Sequence, residues 1–252
     1  FDDVAISPGQ VTINPDQTDI GFSIGSHDFA VPILASAMDA VVSPKFAGAL
    51  GKLGGLGVLN LEGVWTRYGN AEEILSEIAN SSKAEVTEVF QKVYSSAIKD
   101  ELVGDRIRQI KDQGVVCAVA VTPQNAKRLS SIAVEAGADI LFVQATVTTA
   151  RHISKSYKGL VFSELVQSVD IPVVVGNCVT SGAALELMET GIDGLLVGVG
   201  PGAACTTREV VGVGLPQVTA TLECAAAREE YFRRTGKYVD IITDGGIRTG
   251  GD

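Results

Sequence analysis

The run Val115-Val116-Cys117-Ala118-Val119-Ala120-Val121 decides the fold class, because it is apolar at every position. A strand that is covered on both faces has this pattern, which is typical of parallel sheets with helices packed on them. The amphipathic segment 124–136 follows the run, and a second apolar run, 140–145, comes next. This order of strand, helix and strand predicts a βαβ unit with a right-handed crossover.

The same order of elements repeats along most of the chain. The predicted strands are residues 30–36, 56–60, 115–121, 140–145, 172–178, 195–199 and 240–244. The predicted helices include residues 44–53, 71–80, 84–94, 102–113, 124–136, 181–190 and 217–235. We therefore predict an α/β fold, a (β/α)8 TIM barrel, whose eighth strand and C-terminal segment lie outside these 252 residues.

A doubly wound open sheet is the alternative architecture, and the turn after the first predicted strand argues against it. Ala37-Met38-Asp39 stands where the nucleotide-binding turn G-x-G-x-x-G would be needed. The chain begins at Phe1 and ends soon after its seventh predicted strand, so we expect both ends of the barrel to be cut. We predict one incomplete catalytic domain over residues 1–252, with a long glycine-rich loop at 200–216.

Composition excludes several classes of function. Lys and Arg number 20 against 30 Asp and Glu, for a net charge of −10, which argues against a nucleic-acid partner. Mean hydropathy is +0.25, but no apolar run approaches the roughly 20 residues that span a bilayer, so we predict no membrane partner. The two histidines, His27 and His152, are too few for a three-histidine metal centre, and we predict that both are surface residues.

The four cysteines match neither a C-x-x-C motif nor a compact disulfide framework. We therefore predict free thiols in a reducing, cytoplasmic compartment. Cys117 lies in an apolar run and Cys178 ends a predicted strand, so both are interpreted as structural, and Cys224 as an ordinary helix residue. Cys205 differs, because the preceding glycines at 198, 200 and 202 let backbone groups approach a ligand or ion. On chemistry alone, Cys205 is either a nucleophile or an exposed thiol without a role.

The end of the last predicted strand offers a second group of candidates. Asp244-Gly245-Gly246 combines a carboxylate for sugar hydroxyls with two backbone amides for a phosphate. The same three residues are also what a strand-ending turn requires. In a TIM barrel, however, the active site lies at the C-terminal ends of the strands.

Six motifs, in order along the chain, resemble the IMP dehydrogenase and GMP reductase family. They lie at residues 1–9, 36–39, 52–57, 176–180, 198–217 and 244–247. The cysteine loop with its Gly-Val-Gly-x-Pro-Gln tail is the most specific of them. The resemblance implies a (β/α)8 barrel that acts at C2 of a purine 5′-monophosphate and assembles as a homotetramer or a larger oligomer. Residues 61–114 are too few for a pair of CBS domains, so the chain looks closest to the CBS-less, IMP dehydrogenase-related branch.

The resemblance also implies roles for particular residues. Cys205 matches the thiolate that adds to purine C2, and Thr207 matches the hydroxyl that helps to activate water or ammonia. The implied substrate residues are Ser36, Met38, Gly202, Ala203, Asp244, Gly245 and Gly246. The implied residues on the cofactor side are Gln144, Asn177, Gly198 and Gly200, for NAD or NADP. The carbonyls of Gly200, Gly202 and Cys205 match those that bind a potassium ion.

Three functions follow as expectations. The leading one is NAD-dependent oxidation of IMP to XMP in guanine nucleotide biosynthesis, and the alternative is NADPH-dependent reduction of GMP to IMP and ammonia. The third is a catalytically silent, nucleotide-binding paralogue. Ala203 stands where the family usually has a serine, and Gln144 where an aspartate usually contacts the cofactor ribose, and these departures motivate the third function.

Overall fold

The computed structural model describes residues 4–153 and 159–252, so residues 1–3, which open the first motif of the resemblance, lie outside it. The chain divides into two compact units. The β3–β6 unit comprises residues 31–143 and 167–173. The β7–β9 unit comprises the described residues among 1–30, 144–166 and 174–252.

The β3–β6 unit is built on parallel strands that pair in chain order. These strands are β3 (Leu34–Ala35), β4 (Leu56–Asn60), β5 (Ala118–Val121) and β6 (Ile140–Gln144), whose last residue is counted with the other unit. The helices are α1 (Pro44–Lys52), α2 (Val64–Arg67), α3 (Ala71–Asn80), α4 (Val86–Ser95), α5 (Asp100–Lys111) and α6 (Ala126–Glu135). Parallel pairing runs from β3 to β4, from β4 to β5 and from β5 to β6.

Burial explains why the apolar runs form these strands. Every residue of β5 is buried, as expected for a strand covered on both faces. Helix α1 packs tightly on β4, because a Cβ at Gly57 would lie 2.8 Å from Cα of Ala47. The helix begins at Pro44, where the Ser43 hydroxyl accepts a hydrogen bond from the Phe46 N–H at 3.0 Å.

Two predicted strands of this unit are shorter than expected. The predicted strand 30–36 is reduced to Leu34–Ala35, because the Ile33 N–H bonds back to the Val31 carbonyl at 2.8 Å. The predicted strand 115–121 begins only at Ala118. The N–H of Cys117 donates to the Asp139 carboxylate at 2.7 Å, so the residue before the strand is held by a side chain.

The β7–β9 unit contains three parallel strands and an antiparallel hairpin within its described residues. The strands are β7 (Val173–Cys178), whose first residue is counted with the other unit, β8 (Gly194–Val197) and β9 (Asp240–Thr243). The hairpin consists of β1 (Phe22–Ile24) and β2 (His27–Phe29). The helices are the 3-10 turn Pro15–Gln17, α7 (Phe162–Ser168), whose last two residues are counted with the other unit, α8 (Ser181–Met188), α9 (Thr207–Val211) and α10 (Gln217–Thr235). Helix α10 packs against α8, β8 and β9.

The sequence analysis was wrong at two places in this unit. His27 was predicted to be a surface residue, but it lies in β2 and is half-buried. The predicted loop 200–216 contains the short helix α9, which ends at Gly212 in the left-handed conformation. Within the described residues, no helix is both long and apolar enough to cross a membrane.

Candidate active site

Cys205 lies between β8 and α9, and its thiol is exposed to solvent. Its Sγ lies 3.2 Å from Oγ1 of Thr207, so the Thr207 hydroxyl can donate to the thiolate once Cys205 has lost its proton. The hydrogen bonds from the side chain and the backbone of Thr207 lower the pKa of Cys205, and the positive charge of Arg208 acts in the same direction. These groups favour the nucleophilic form of the thiol.

The other three cysteines are buried, as the sequence analysis predicted for Cys117. Burial raises the pKa of Cys117 to about 12, and the nearby Asp139 carboxylate adds to this effect. Cys178 and Cys224 lie with their sulfur atoms 3.9 Å apart, and this hydrogen bond together with burial raises the pKa of Cys178. Among the four thiols, Cys205 alone is exposed.

Arg208 closes the loop that carries Cys205. Its Nε lies 3.4 Å from the carbonyl oxygen of Val199, and its Nη2 donates to the carbonyl oxygen of Leu215. Gly200 (φ +82°) and Gly214 (φ +159°) flank the arginine, and a Cβ at either would lie 2.5–2.6 Å from Cγ of Arg208. Both glycines are therefore needed for the arginine to join the two ends of the loop.

The turn after β9 lies against the same loop. A Cβ at Gly245 (φ +89°) would lie 3.1 Å from the backbone nitrogen of Gly202. The N–H of Cys205 donates to the carbonyl oxygen of Gly202 at 3.0 Å, which makes a tight turn just before the thiol. Ala203 is exposed in this turn, and its methyl group offers no hydrogen bond to a phosphate. The structure thus brings together Gly202, Ala203, Cys205 and Gly245.

A cluster of two amides and one carboxylate is also present in this unit. Oδ2 of Asp244 accepts from Nε2 of Gln144 at 3.0 Å and from Nδ2 of Asn177 at 2.8 Å. Asn177 is buried and follows a cis peptide bond with Gly176. The cluster unites Gln144 and Asn177, predicted for the cofactor side, with Asp244, predicted for the substrate side.

Gln217 is a further candidate for the site, to which the sequence analysis gave no role although it ends the motif 198–217. Its Nε2 donates to the Val197 carbonyl at 2.7 Å and lies 3.3 Å from the Asp244 carbonyl. Its Oε1 is buried and has no hydrogen-bond partner within the described residues. A Cβ at Gly198 (φ +142°) would lie 2.4 Å from the Asp244 carbonyl and 2.8 Å from this Oε1. The available signal was its place directly after Pro216, in the most specific motif.

Ser36 and Met38 belong to the β3–β6 unit, where they follow β3. The Met38 N–H donates to the Ser36 carbonyl at 2.7 Å, and the Met38 side chain is 48% exposed. Asp39 anchors this turn, because its Oδ2 accepts from the Val64 N–H at 2.9 Å and from the Tyr94 hydroxyl at 2.6 Å. Met38 is thus exposed on a turn whose next residue, Asp39, is held by two hydrogen bonds.

Carbonyl oxygens are the groups in this loop that suit an alkali cation. No cluster of three or more His, Cys, Asp or Glu side chains that could hold a metal occurs among residues 4–153 and 159–252. The resemblance implies the carbonyls of Gly200, Gly202 and Cys205, and the Gly202 carbonyl also accepts from the Cys205 N–H at 3.0 Å. The chemistry of these donors fits potassium rather than a transition metal.

Comparisons with known proteins are consistent with these features. Residues 1–252 match the family model of the IMP dehydrogenase / GMP reductase domain. An uncharacterized oxidoreductase of Mycolicibacterium smegmatis is 35% identical over 259 residues, which cover 100% of this chain and 69% of that protein. The inosine-5′-monophosphate dehydrogenase of Cryptosporidium parvum is 29% identical over 261 residues, which cover 100% of this chain and 62% of that protein.

A solved structure extends the comparison to the fold. The crystal structure of an IMP dehydrogenase/GMP reductase-like protein from Corynebacterium glutamicum matches with a TM-score of 0.91 and 33% identity. The match covers 99% of this chain and 67% of that one. This likeness confirms the predicted α/β fold of the TIM-barrel class.

Proposed function

Because the chain belongs to the IMP dehydrogenase/GMP reductase family of oxidoreductases, we propose that it acts at C2 of a purine 5′-monophosphate through a covalent adduct on Cys205. The leading reaction is the oxidation of IMP to XMP with NAD. The observation that carries this proposal is the exposed Cys205 thiol, whose pKa is lowered by Thr207, in a loop closed by Arg208.

The proposed reaction has two stages that balance. The Cys205 thiolate adds to C2 of IMP, and the hydride at C2 leaves, so that the purine is oxidised and held as a thioimidate. NAD, when bound, supplies the hydride acceptor. Water, activated with the help of Thr207, then adds to C2, and the C2–S bond breaks to release XMP and restore the thiol. The sum is IMP, NAD⁺ and water giving XMP, NADH and one proton.

Substrate binding is proposed for the residues around the thiol. The Asp244 carboxylate would accept hydrogen bonds from the ribose hydroxyls. The backbone N–H groups of the Gly202–Ala203 turn and of Gly245 and Gly246 would contact the phosphate. Ser36 and Met38 are proposed as substrate residues only because they match substrate positions of the family.

The cofactor and ion sites are proposed on the same loops. Asn177, Gly198 and Gly200 would lie on the nicotinamide side. The carbonyls of Gly200, Gly202 and Cys205 would hold a potassium ion, which would stabilise the shape of the cysteine loop.

Reduction of GMP by NADPH is the second candidate. Residues 61–114 are too few for a pair of CBS domains, and the resemblance implies that lacking this pair is normal for the reductase. A catalytically silent paralogue is the third candidate, because Ala203 lacks the hydroxyl that a serine would offer to phosphate. The loss of one such hydrogen bond costs about 1 kcal/mol of binding free energy.

One assay separates the three candidates. The full-length protein is incubated in potassium buffer with IMP plus NAD and, separately, with GMP plus NADPH, while NADH or NADPH is followed by absorbance. Turnover in either mixture that is lost in Cys205→Ala supports the covalent mechanism, and equal rates for both proteins refute it. Nucleotide binding without turnover in either mixture favours the silent paralogue.

The remaining proposals rest on the sequence analysis and on family membership. We propose a single catalytic domain without a CBS pair over residues 1–252, assembly as a homotetramer or a larger oligomer, and a cytoplasmic location. Light scattering of the full-length protein tests the oligomer, since a monomer at assay concentration would contradict it.

A further inference from the structure

Gln144 contacts the carboxylate of Asp244, the residue that is proposed to bind the substrate. Its Nε2 donates to Oδ2 of Asp244 at 3.0 Å across 100 positions of sequence. Asn177 donates to the same oxygen at 2.8 Å. Both donors belong to the unit that contains Asp244.

The main chain places the two amides side by side. The Ala145 N–H donates to the Gly176 carbonyl at 2.9 Å, and the Asn177 N–H donates to the Ala145 carbonyl at 2.9 Å. The Thr148 N–H also donates to the Asn177 carbonyl, at 2.8 Å. These bonds hold the main chain at Ala145 and Asn177, so the side chains of Gln144 and Asn177 both start within reach of Asp244.

Two donors on one carboxylate oxygen determine the orientation of the whole group. The Asp244 N–H donates to the Val197 carbonyl at 2.8 Å, which fixes the main chain of this residue. With Oδ2 anchored as well, rotation about the Cβ–Cγ bond is restricted, so the direction of Oδ1 is set before a ligand arrives. Preorganisation of this kind lowers the entropic cost of binding.

We propose that Gln144 is a positioning residue for Asp244, holding this carboxylate ready for the ribose hydroxyls of the purine nucleotide. The inference rests on the proposed function, and it moves Gln144 from the cofactor side to the substrate side. A carboxylate at position 144 could not take this role, because it has no donor and would repel Asp244 at this distance.

The test compares two ligands that differ only in the 2′ and 3′ hydroxyls of the ribose. IMP and 2′,3′-dideoxy-IMP are titrated by calorimetry into the full-length protein, into Gln144→Ala and into Gln144→Glu. Gln91→Glu makes the same chemical change at an exposed position on α4 and serves as the matched control. We expect Gln144→Glu to weaken IMP binding about 10-fold or more while dideoxy-IMP changes less than about 3-fold.

The IMP affinity of each variant is also measured as a function of pH, because a purely structural role for Gln144 predicts no pH-dependent recovery. In Gln144→Glu, two neighbouring carboxylates share a proton as the pH falls, so part of the IMP affinity should return between pH 8 and pH 5. Gln144→Ala contains no second carboxylate and should show no such recovery. Circular dichroism and thermal unfolding establish that each variant is folded.

The outcomes distinguish this inference from the function on which it rests. If the wild-type protein binds IMP but the Gln144 variants bind it equally well, the inference is overturned and the proposed function stands. Equal weakening of IMP and dideoxy-IMP also overturns the inference, since Gln144 would then act on the fold alone. If the wild-type protein binds no purine nucleotide, the proposed function fails and the inference fails with it.

Discussion

Two aspartates lie at opposite ends of β9, and their carboxylates have different surroundings. Asp244 follows the last residue of the strand and accepts hydrogen bonds from the amides of Gln144 and Asn177. Asp240 is the first residue of the strand and is half-buried. Burial raises the pKa of Asp240 to about 6, the charge of Asp193 adds to the rise, and Arg228 opposes it.

The neighbours of the two residues show the same contrast. At the carboxyl end of β9 lie amides, glycines and the exposed thiol, groups that can contact a ligand. At the amino end lie ion pairs, such as Lys237 with Asp193 at 3.1 Å. Barrel enzymes carry their chemistry at the carboxyl ends of the strands and use the amino ends for stability. We therefore expect Asp244 to act in ligand binding and Asp240 to act in stability.

The largest expected effect is at the carboxyl end. Cys205→Ala removes the proposed nucleophile, so we expect turnover to fall by at least about 1,000-fold with little change in thermal unfolding, because the side chain is exposed. Steady-state rates and melting curves of the full-length protein measure both quantities. Cys117→Ala, at a buried thiol, is the control, and it should lower stability while turnover persists.

The second effect concerns Asp244 itself. Asp244→Asn keeps the shape of the side chain but removes the charge that the ribose hydroxyls would meet. We expect nucleotide binding to weaken about 10- to 100-fold, as for the loss of a hydrogen bond to a charged group. Calorimetric titration with IMP measures the change, and unaltered affinity would remove Asp244 from the site.

The third effect is at the amino end and depends on pH. Because the pKa of Asp240 is raised to about 6 in the folded state, the fold favours the neutral form, and stability declines as the pH rises from about 4 to 6. Asp240→Asn should therefore stabilise the protein at pH 8, by at most about 1 kcal/mol for a half-exposed group, and should have no effect near pH 4.

Urea unfolding at the two pH values measures this difference, and turnover at pH 8 should match that of the wild type. An equal gain in stability at both pH values would show that the charge of Asp240 is not the cause. Loss of turnover would mean that the two ends of β9 are not functionally separate.

The smallest effect concerns the thiol pKa. Thr207→Val removes the side-chain hydrogen bond to Cys205, so the pKa should rise and the thiolate fraction at pH 7 should fall. We expect alkylation by iodoacetamide to slow about 3-fold at pH 7, with the difference shrinking at higher pH as both thiols ionise. Thr206→Val is the matched control, and an equal slowing there would assign the effect to the loop rather than to the hydroxyl.

The sequence predicts the parallel strands and the long helices well, because their apolar patterns are local. The bounds of β4 and α10 are those predicted. The hairpin β1–β2 was missed although its signal was present, since Gly25-Ser26 is a two-residue turn sequence that joins two short runs, each containing a phenylalanine. Helix α9 left no signal, because its five residues include none that is buried.

The sequence predicts which residues belong to the candidate site, and these assignments stay predictions, whereas the contacts among the residues could not be predicted. The glycine-rich context distinguished Cys205 from the other thiols, and its exposure agrees with that interpretation. The bond from Gln144 to Asp244 joins the ends of two strands 100 positions apart, and no local pattern encodes it. The position of Arg208 between two glycines likewise depends on how the loop folds back on itself.

The placement of Arg208 limits which substitutions the cysteine loop can accept. A side chain at position 200 or 214 would collide with Cγ of the arginine, so neither glycine can be replaced while the arginine remains. Replacing Arg208 would remove its hydrogen bonds to the carbonyls of Val199 and Leu215, which join the two ends of the cysteine loop. Substitutions at the three positions are therefore expected to be non-additive in their effect on the stability of the loop.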